Sequence, residues 1–105
     1  MKVFQSKMGF FVVQSVSFQE RRDNDGLSLK LFVEVAGDGG ACIPIFSEKW
    51  DSKPKQELKM KSIRFLIHTL IREFFKNDEK VFFVDSAINA AKKNWHKLKP
   101  EDINY

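Results

Sequence analysis

Two stretches in the first half of the chain show the alternation of apolar and polar residues that is typical of β-strands. Residues 27–35 place a leucine or valine at every second position, and residues 10–18 are rich in β-forming side chains. Residues 21–26, which separate the two stretches, include Asn, Asp and Gly, which tolerate positive φ. The pattern therefore predicts an antiparallel hairpin.

A further strand is expected after a glycine-rich break. Residues 37–40 contain three glycines, and residues 41–46 that follow are again largely apolar. Pro44 in this run cannot donate a hydrogen bond to a neighbouring strand, so we expect it at a sheet edge or at a β-bulge. Residues 2–5 carry a weaker strand signal. The N-terminal half is thus predicted to be a meander of three to four antiparallel strands.

A long amphipathic helix follows. Its apolar residues recur at spacings of three and four, which places them on one face to be buried against the sheet. They are Ile63, Leu66, Ile67, Leu70, Ile71 and Phe74. The helix begins either with Ser62 as its N-cap or a few turns earlier, near Ser52 and Pro54, and it ends near Asn77.

The C-terminal part predicts one more strand and one more helix. Residues 81–84 are too few for a helix and too apolar for a surface loop, which indicates a buried strand. Asp85 and Ser86 are expected to cap a helix whose buried stripe is Ile88, Ala91, Trp95 and Leu98. Residues 98–105 are expected to form a loose tail. The fold class is therefore α+β, in the order ββββαβα, as one domain over residues 1–105.

Composition narrows the setting in which the protein works. Of the 105 residues, 43% are hydrophobic and 30% charged, a balance typical of globular proteins. The 11 phenylalanines can stabilise a small domain without disulfides. Cys42 is the only cysteine, which fits a reducing compartment, and no apolar run is long enough for a signal peptide or a membrane span. We expect a cytoplasmic protein without membrane contact.

No catalytic or metal-binding motif is readable in the sequence. The two histidines, His68 and His96, do not stand at metal-ligand spacing with Cys42 or with each other. Cys42 is interpreted as a small hydrophobic residue, because nothing near it in the sequence activates a thiol. Asp85 is interpreted as a helix cap. We therefore expect no cofactor and no metal, and binding in place of catalysis.

Apolar residues outside the predicted core indicate a contact surface for another protein. Phe65 points almost opposite the apolar stripe of the long helix, at 100° per residue. Phe32 lies on the polar side of its strand, and Phe11 and Val13 share the second side of theirs. A sheet that is apolar on both faces needs two covers. We hypothesise that a second copy of the chain, or a different protein, covers the second face.

A cationic flank on the long helix supports an alternative. Arg64, His68 and Arg72 are spaced by four residues, and Lys61 precedes them in a lysine-rich stretch. The formal net charge is +4. Such a flank suits a phosphate backbone, and Trp50 would be available to stack on bases. The alternative is a nucleic-acid-binding domain. Acidic residues interrupt the basic run at Glu48, Asp51 and Glu57.

The order of elements, together with Asn89 and Trp95 in the last helix, resembles the C-terminal part of GNAT-type acetyltransferases. This resemblance implies the motif Gln/Arg-x-x-Gly-x-Gly/Ala at the start of the long helix, which holds the pyrophosphate of acetyl-CoA. Residues 56–61 read QELKMK and contain no glycine, so the backbone could not approach a phosphate closely. The second alternative is therefore a degenerate acetyltransferase-like fold without a cofactor site. RNase H-like nucleases share a similar order, but residues 1–18 lack the aspartate that their metal site requires. Element order alone assigns no family.

Overall fold

The chain folds into one five-stranded sheet and two α-helices, in a computed structural model that describes residues 1–103. The elements are β1 (Val3–Ser6), β2 (Gly9–Asp23), β3 (Gly26–Val35), β4 (Cys42–Trp50), α1 (Pro54–Lys76), β5 (Val81–Phe83) and α2 (Val84–Asn94). The order across the sheet is β4-β3-β2-β1-β5. Strands β1 to β4 form an antiparallel meander, and β5 pairs in parallel with β1. The predicted α+β class and element order are confirmed.

The long strand β2 connects two parts of the sheet. Its first residues pair with β1, and from Val13 onward it pairs with β3, with a register shift between Val13 and Ser15. A β-bulge places one extra residue in a strand and thereby changes which side chains share a face. As a result, Phe11 and Val13 before the shift and Phe18 after it all lie on the face that the helices cover.

The core lies between this inner face and the two helices. Leucines at alternate positions of β3 are buried against the apolar stripe of α1, and burying each such side chain contributes about 1.5–3 kcal/mol. The central members of this cluster include Leu29 and Leu31 of β3 and Ile63 and Ile67 of α1. The core continues to β1, where the Phe4 ring lies 5.7 Å from the Phe74 ring and 4.8 Å from the Phe82 ring, measured between centroids. These rings join the end of α1 to strands β1 and β5.

The prediction for Pro44 is confirmed in both of its forms. Strand β4 is an edge of the sheet, and the β3–β4 register shifts between Leu31 and Phe32, beside Pro44. The missing N–H of proline is tolerated there because no ladder hydrogen bond is interrupted.

Helix α1 begins at the earlier of its two predicted positions. Pro54 is its first residue and Lys53 its N-cap, in keeping with the preference of proline for the first helical position. Ser62 is instead a fully buried residue inside the helix. The predicted end near Asn77 is confirmed, because α1 ends at Lys76.

The junction between β5 and α2 corrects two expectations. Only Phe82 of the short strand is buried, and Val84 already belongs to the helix. Because the strand passes directly into α2, the N-cap position falls on Phe83, and no side chain caps the helix. Asp85 lies in the first turn, where its negative charge interacts favourably with the positive end of the helix dipole, but it is not the cap.

The C-terminal stripe is shorter than expected. Ile88 and Ala91 are buried, whereas Trp95 and Leu98 are half-buried. Trp95 begins a 3-10 turn after the end of α2, and Leu98 follows that turn. The chain continues into a second 3-10 turn, Pro100–Asp102. The last two residues of the predicted tail lie outside the described residues. Within residues 1–103, neither helix combines the length and the apolar character that crossing a membrane would require.

Candidate functional site

The outer face of the sheet, which the helices leave uncovered, carries two rows of neighbouring side chains across β2, β1 and β5. In one row Val12 lies beside Val3, and Val3 beside Val81. In the next row Gln5 lies between Phe10 and Phe83. Paired residues of adjacent strands share a face, with Cβ atoms roughly 5 Å apart. We call the apolar members of these rows the outer patch: Val3, Phe10, Val12, Val81 and Phe83.

The outer patch is open to solvent. Phe10 is 71% exposed, Phe83 56% and Val81 37%, while Val3 and Val12 are half-buried. Single exposed apolar residues are common on protein surfaces, but contiguous apolar patches mark contact sites. The two rows contain no charged side chain, since the position between the two phenylalanines is Gln5. An apolar surface of another chain can therefore cover the patch without burying an unpaired charge.

The three phenylalanines that the sequence singled out lie in different places. Phe11 pairs with Phe4 on the inner face and packs against the core. Phe32 lies on the outer face, half-buried between Ser17 and Pro44, some distance along β2 from the outer patch. Phe65 is half-buried on α1 and is not among the residues packed against the core. The structure does not bring the three rings together.

Phe10 and Phe83, the most exposed aromatic residues within residues 1–103, are not among the predicted contact residues. The prediction for residues 81–84 is a buried strand, although a strand directs alternate side chains to opposite faces. With Phe82 inside, Val81 and Phe83 must face outward, and this alternation was the available signal. For Phe10 the signal was weaker, because its face is fixed only by the pairing of β2 with the short strand β1.

Ion pairs neutralise part of the cationic flank. Arg64 Nη1 lies 3.0 Å from Glu20 Oε1, and Lys61 Nζ lies 3.4 Å from Glu57 Oε1. The same carboxylate accepts a contact of 2.5 Å from Arg22 Nη2, and the hydrogen bond from Arg22 lowers the pKa of Glu57. These carboxylates offset charge that a phosphate backbone would otherwise meet.

The same flank disfavours the protonated form of His68. Its ring lies edge-on to Phe18 with centroids 6.1 Å apart. Partial burial lowers the pKa of His68, and the positive charges of Arg72 and Arg64 lower it further. The guanidinium of Arg64 also lies 5.3 Å from the Phe18 ring centroid. The flank is therefore a region of positive potential, in which His68 and Arg72 are exposed and Lys61 and Arg64 are half-buried.

Trp50, which was expected to be available for stacking on bases, is not. It pairs with Leu27 at the end of β4 and is buried in the core. Stacking requires an open aromatic face, so Trp50 does not support nucleic-acid binding.

Other chemistry is not assembled in the described part of the chain. Cys42 is exposed at the start of β4 and is not the small core residue that was expected. It lies opposite Glu34 on the outer face, whereas His68 lies beside Phe18 on the inner side, so the two do not meet. Among residues 1–103, no three His, Cys, Asp or Glu side chains are grouped so as to hold a metal ion.

The chain was compared with known proteins at three levels. It matches no protein-family model, no curated protein sequence and no solved structure.

Proposed function

We propose that this protein is a small interaction domain that associates with a second copy of itself through the outer patch. The observation that carries the proposal is the exposure of Phe10 and Phe83 on either side of Gln5, in two rows of side chains that contain no charged residue. Removing apolar surface from water is the main driving force of association. A symmetric dimer places the same patch on both sides of its interface, so an uncharged patch complements itself.

The size of the patch predicts weak association. Stable interfaces bury about 800 Å² on each partner, and five side chains in two short rows cover less than this. We therefore expect a dimer that dissociates in the range of about 10–100 µM. Such an affinity suits a domain whose association depends on its local concentration.

The experiment is sedimentation velocity of the wild type and of the variants Phe10→Ser and Phe83→Ser. Both positions are exposed, so each substitution should leave the fold intact and shift the protein to monomer. Phe65→Ser is the matched control, because it removes the same side chain from α1, away from the patch. The proposal fails if both patch variants sediment like the wild type, or if Phe65→Ser alone abolishes association.

A further inference from the structure

Strand β2 has an unpaired edge along most of its length, although it lies in the middle of the sheet. Strand β1 pairs with β2 only as far as Val12, and the last hydrogen bond on that side runs from Val13 N to Lys2 O at 2.9 Å. Beyond it, no described residue pairs with that side of β2. We call residues 14–23 on this side the open edge. None of these residues is buried, whereas the facing strand β3 buries every second side chain.

The main-chain groups that point to the open edge follow from two hydrogen bonds of β3. Val35 N donates to Ala41 O toward β4, and Ala36 N donates to Val12 O toward β2. Alternate residues of a strand bond to opposite neighbours. The β2 residues opposite Glu34, Phe32 and Lys30 therefore bond to β3. The intervening residues direct their N–H and C=O groups to the open edge, and they are Val16, Phe18, Glu20 and Arg22.

The open edge differs from the other long edge of the sheet. Strand β4 is protected by Pro44 and by the register shift beside it, which are common devices against strand addition. Residues 14–23 contain neither proline nor glycine. Their unpaired groups form a template to which an extended chain can add by main-chain hydrogen bonds.

Helix α1 runs along the open edge and gives it a charge. Contacts between helix and strand follow one another from Arg22 with Glu57, through Glu20 with Arg64, to Phe18 with His68. Among residues 1–103, the cationic side chains along this contact between α1 and β2, which we call the border, outnumber the carboxylates. The cations are Arg22, Lys61, Arg64 and Arg72, and the carboxylates are Glu20 and Glu57.

We infer that the open edge of β2 binds an extended, acidic peptide segment of a partner protein by strand addition. Such a segment would satisfy the unpaired main-chain groups, cover the half-buried side chains of Val16 and Phe18, and place carboxylates beside Arg72. A second copy of the chain is disfavoured here, because pairing two β2 edges would bring two positive borders together. The site is separate from the outer patch and does not depend on self-association.

The test uses capped eight-residue peptides that alternate valine with glutamate or valine with lysine. Each is titrated into the isotope-labelled protein, and the backbone amides are followed by NMR. The Val-Glu peptide should bind and shift the amides of Val16, Phe18, Glu20 and Arg22 most strongly. The Val-Lys peptide should bind at least about fivefold more weakly, the ratio expected for exposed charges near a cationic border. Repeating the titration with Phe83→Ser separates this site from self-association.

Two pairs of variants distinguish the main-chain and charge contributions. Val16→Pro removes an outward N–H without removing a bond to β3, and should abolish binding, whereas Val16→Thr keeps the N–H and should bind within about twofold of the wild type. Arg72→Glu should weaken binding of the acidic peptide about fivefold, and Lys93→Glu, with the same change in net charge on α2, should not. Unfolding curves confirm that each variant is folded.

Several results would overturn the inference. These are equal binding of the acidic and basic peptides, no binding of either, or amide shifts that avoid β2. Tighter binding of an oligothymidine than of the Val-Glu peptide would identify the border as a nucleic-acid site. Shifts at the open edge on concentrating the protein alone would assign the edge to a second copy.

Discussion

The ammonium group of Lys2 lies 3.0 Å from the carbonyl oxygen of Phe74 and 4.6 Å from the centroid of the ring of the same residue. It also donates to the carbonyl oxygens of Asn77 and Glu79, each at 2.5 Å. A cation at the C-terminus of a helix stabilises carbonyls that have no partner within the helix. Lys2 thereby fixes β1 to the end of α1 and to the segment that leads into β5.

Replacing Lys2 should therefore weaken the whole fold. Lys2→Met keeps the aliphatic stem and removes the charge-assisted hydrogen bonds, and we expect the free energy of unfolding to fall by about 1–2 kcal/mol. Urea unfolding measures the change. Lys7→Met, at an exposed position in the β1–β2 turn, is the control and should change stability by less than about 0.5 kcal/mol. Equal effects of the two substitutions would contradict the role given to Lys2.

We expect that replacing Ser62 by alanine does not destabilise the protein. The Ser62 hydroxyl is buried in α1 without a hydrogen-bond partner among the described residues. Because an unsatisfied buried hydroxyl is costly, we expect Ser62→Ala to leave stability unchanged or to raise it by about 1 kcal/mol. Ser62→Thr keeps the hydroxyl, adds a methyl group to a filled site and should destabilise. A clear loss of stability in Ser62→Ala would show that the hydroxyl is bonded.

Two glycines with the same backbone conformation separate strain from steric clash. Gly9 and Gly26 both have φ of +126°, but a Cβ at Gly26 would lie 2.3 Å from the carbonyl oxygen of Trp50, whereas nothing lies within 4 Å at Gly9. Gly9→Ala should cost about 1–2 kcal/mol from backbone strain alone. Gly26→Ala should cost about 3 kcal/mol or more. Similar unfolding midpoints for the two variants would show that the end of β4 yields to the added methyl group.

The lowered pKa of His68 predicts how the stability of the fold depends on pH. This pKa is lowered in the folded protein, so the unfolded chain binds a proton more readily, and protonation favours unfolding. The stabilising contribution is complete above the unfolded pKa of about 6.5 and is lost as pH falls through the lowered folded value. Urea midpoints should therefore decrease between about pH 7 and pH 5. In His68→Gln this decrease should be smaller, and an identical profile would assign it to other groups.

The parts of the fold that were predictable are those set by local periodicity. The alternation of residues 27–35 and the stripe that includes Ile63 and Phe74 fixed the hairpin and the long helix, because a strand and a helix repeat with different periods. The bulge after Val13 could not be read in the same way. It depends on pairing between strands, and it decides that Phe11 faces inward.

The candidate site was less predictable for the same reason. The outer patch forms only because β5 returns beside β1. This pairing places Phe83 beside Gln5, whose other neighbour is Phe10, although Phe83 is far from both residues in sequence. The open edge of β2 exists because β1 is short. Neither relationship is encoded in a window of consecutive residues. Partner binding through Arg64, Arg72 and Lys61 stays a prediction, and ion pairs already engage two of these three.

The most direct measurement of the central claim is a dilution series of the unmodified, isotope-labelled chain, followed by NMR from about 1 mM to 20 µM, a range chosen to span the expected dissociation constant. We predict that chemical shifts change with concentration on the outer patch, at Val3, Phe10, Val12, Val81 and Phe83, while the translational diffusion coefficient rises toward that of a monomer on dilution. Shifts and diffusion that stay constant over the whole range would contradict self-association through this face.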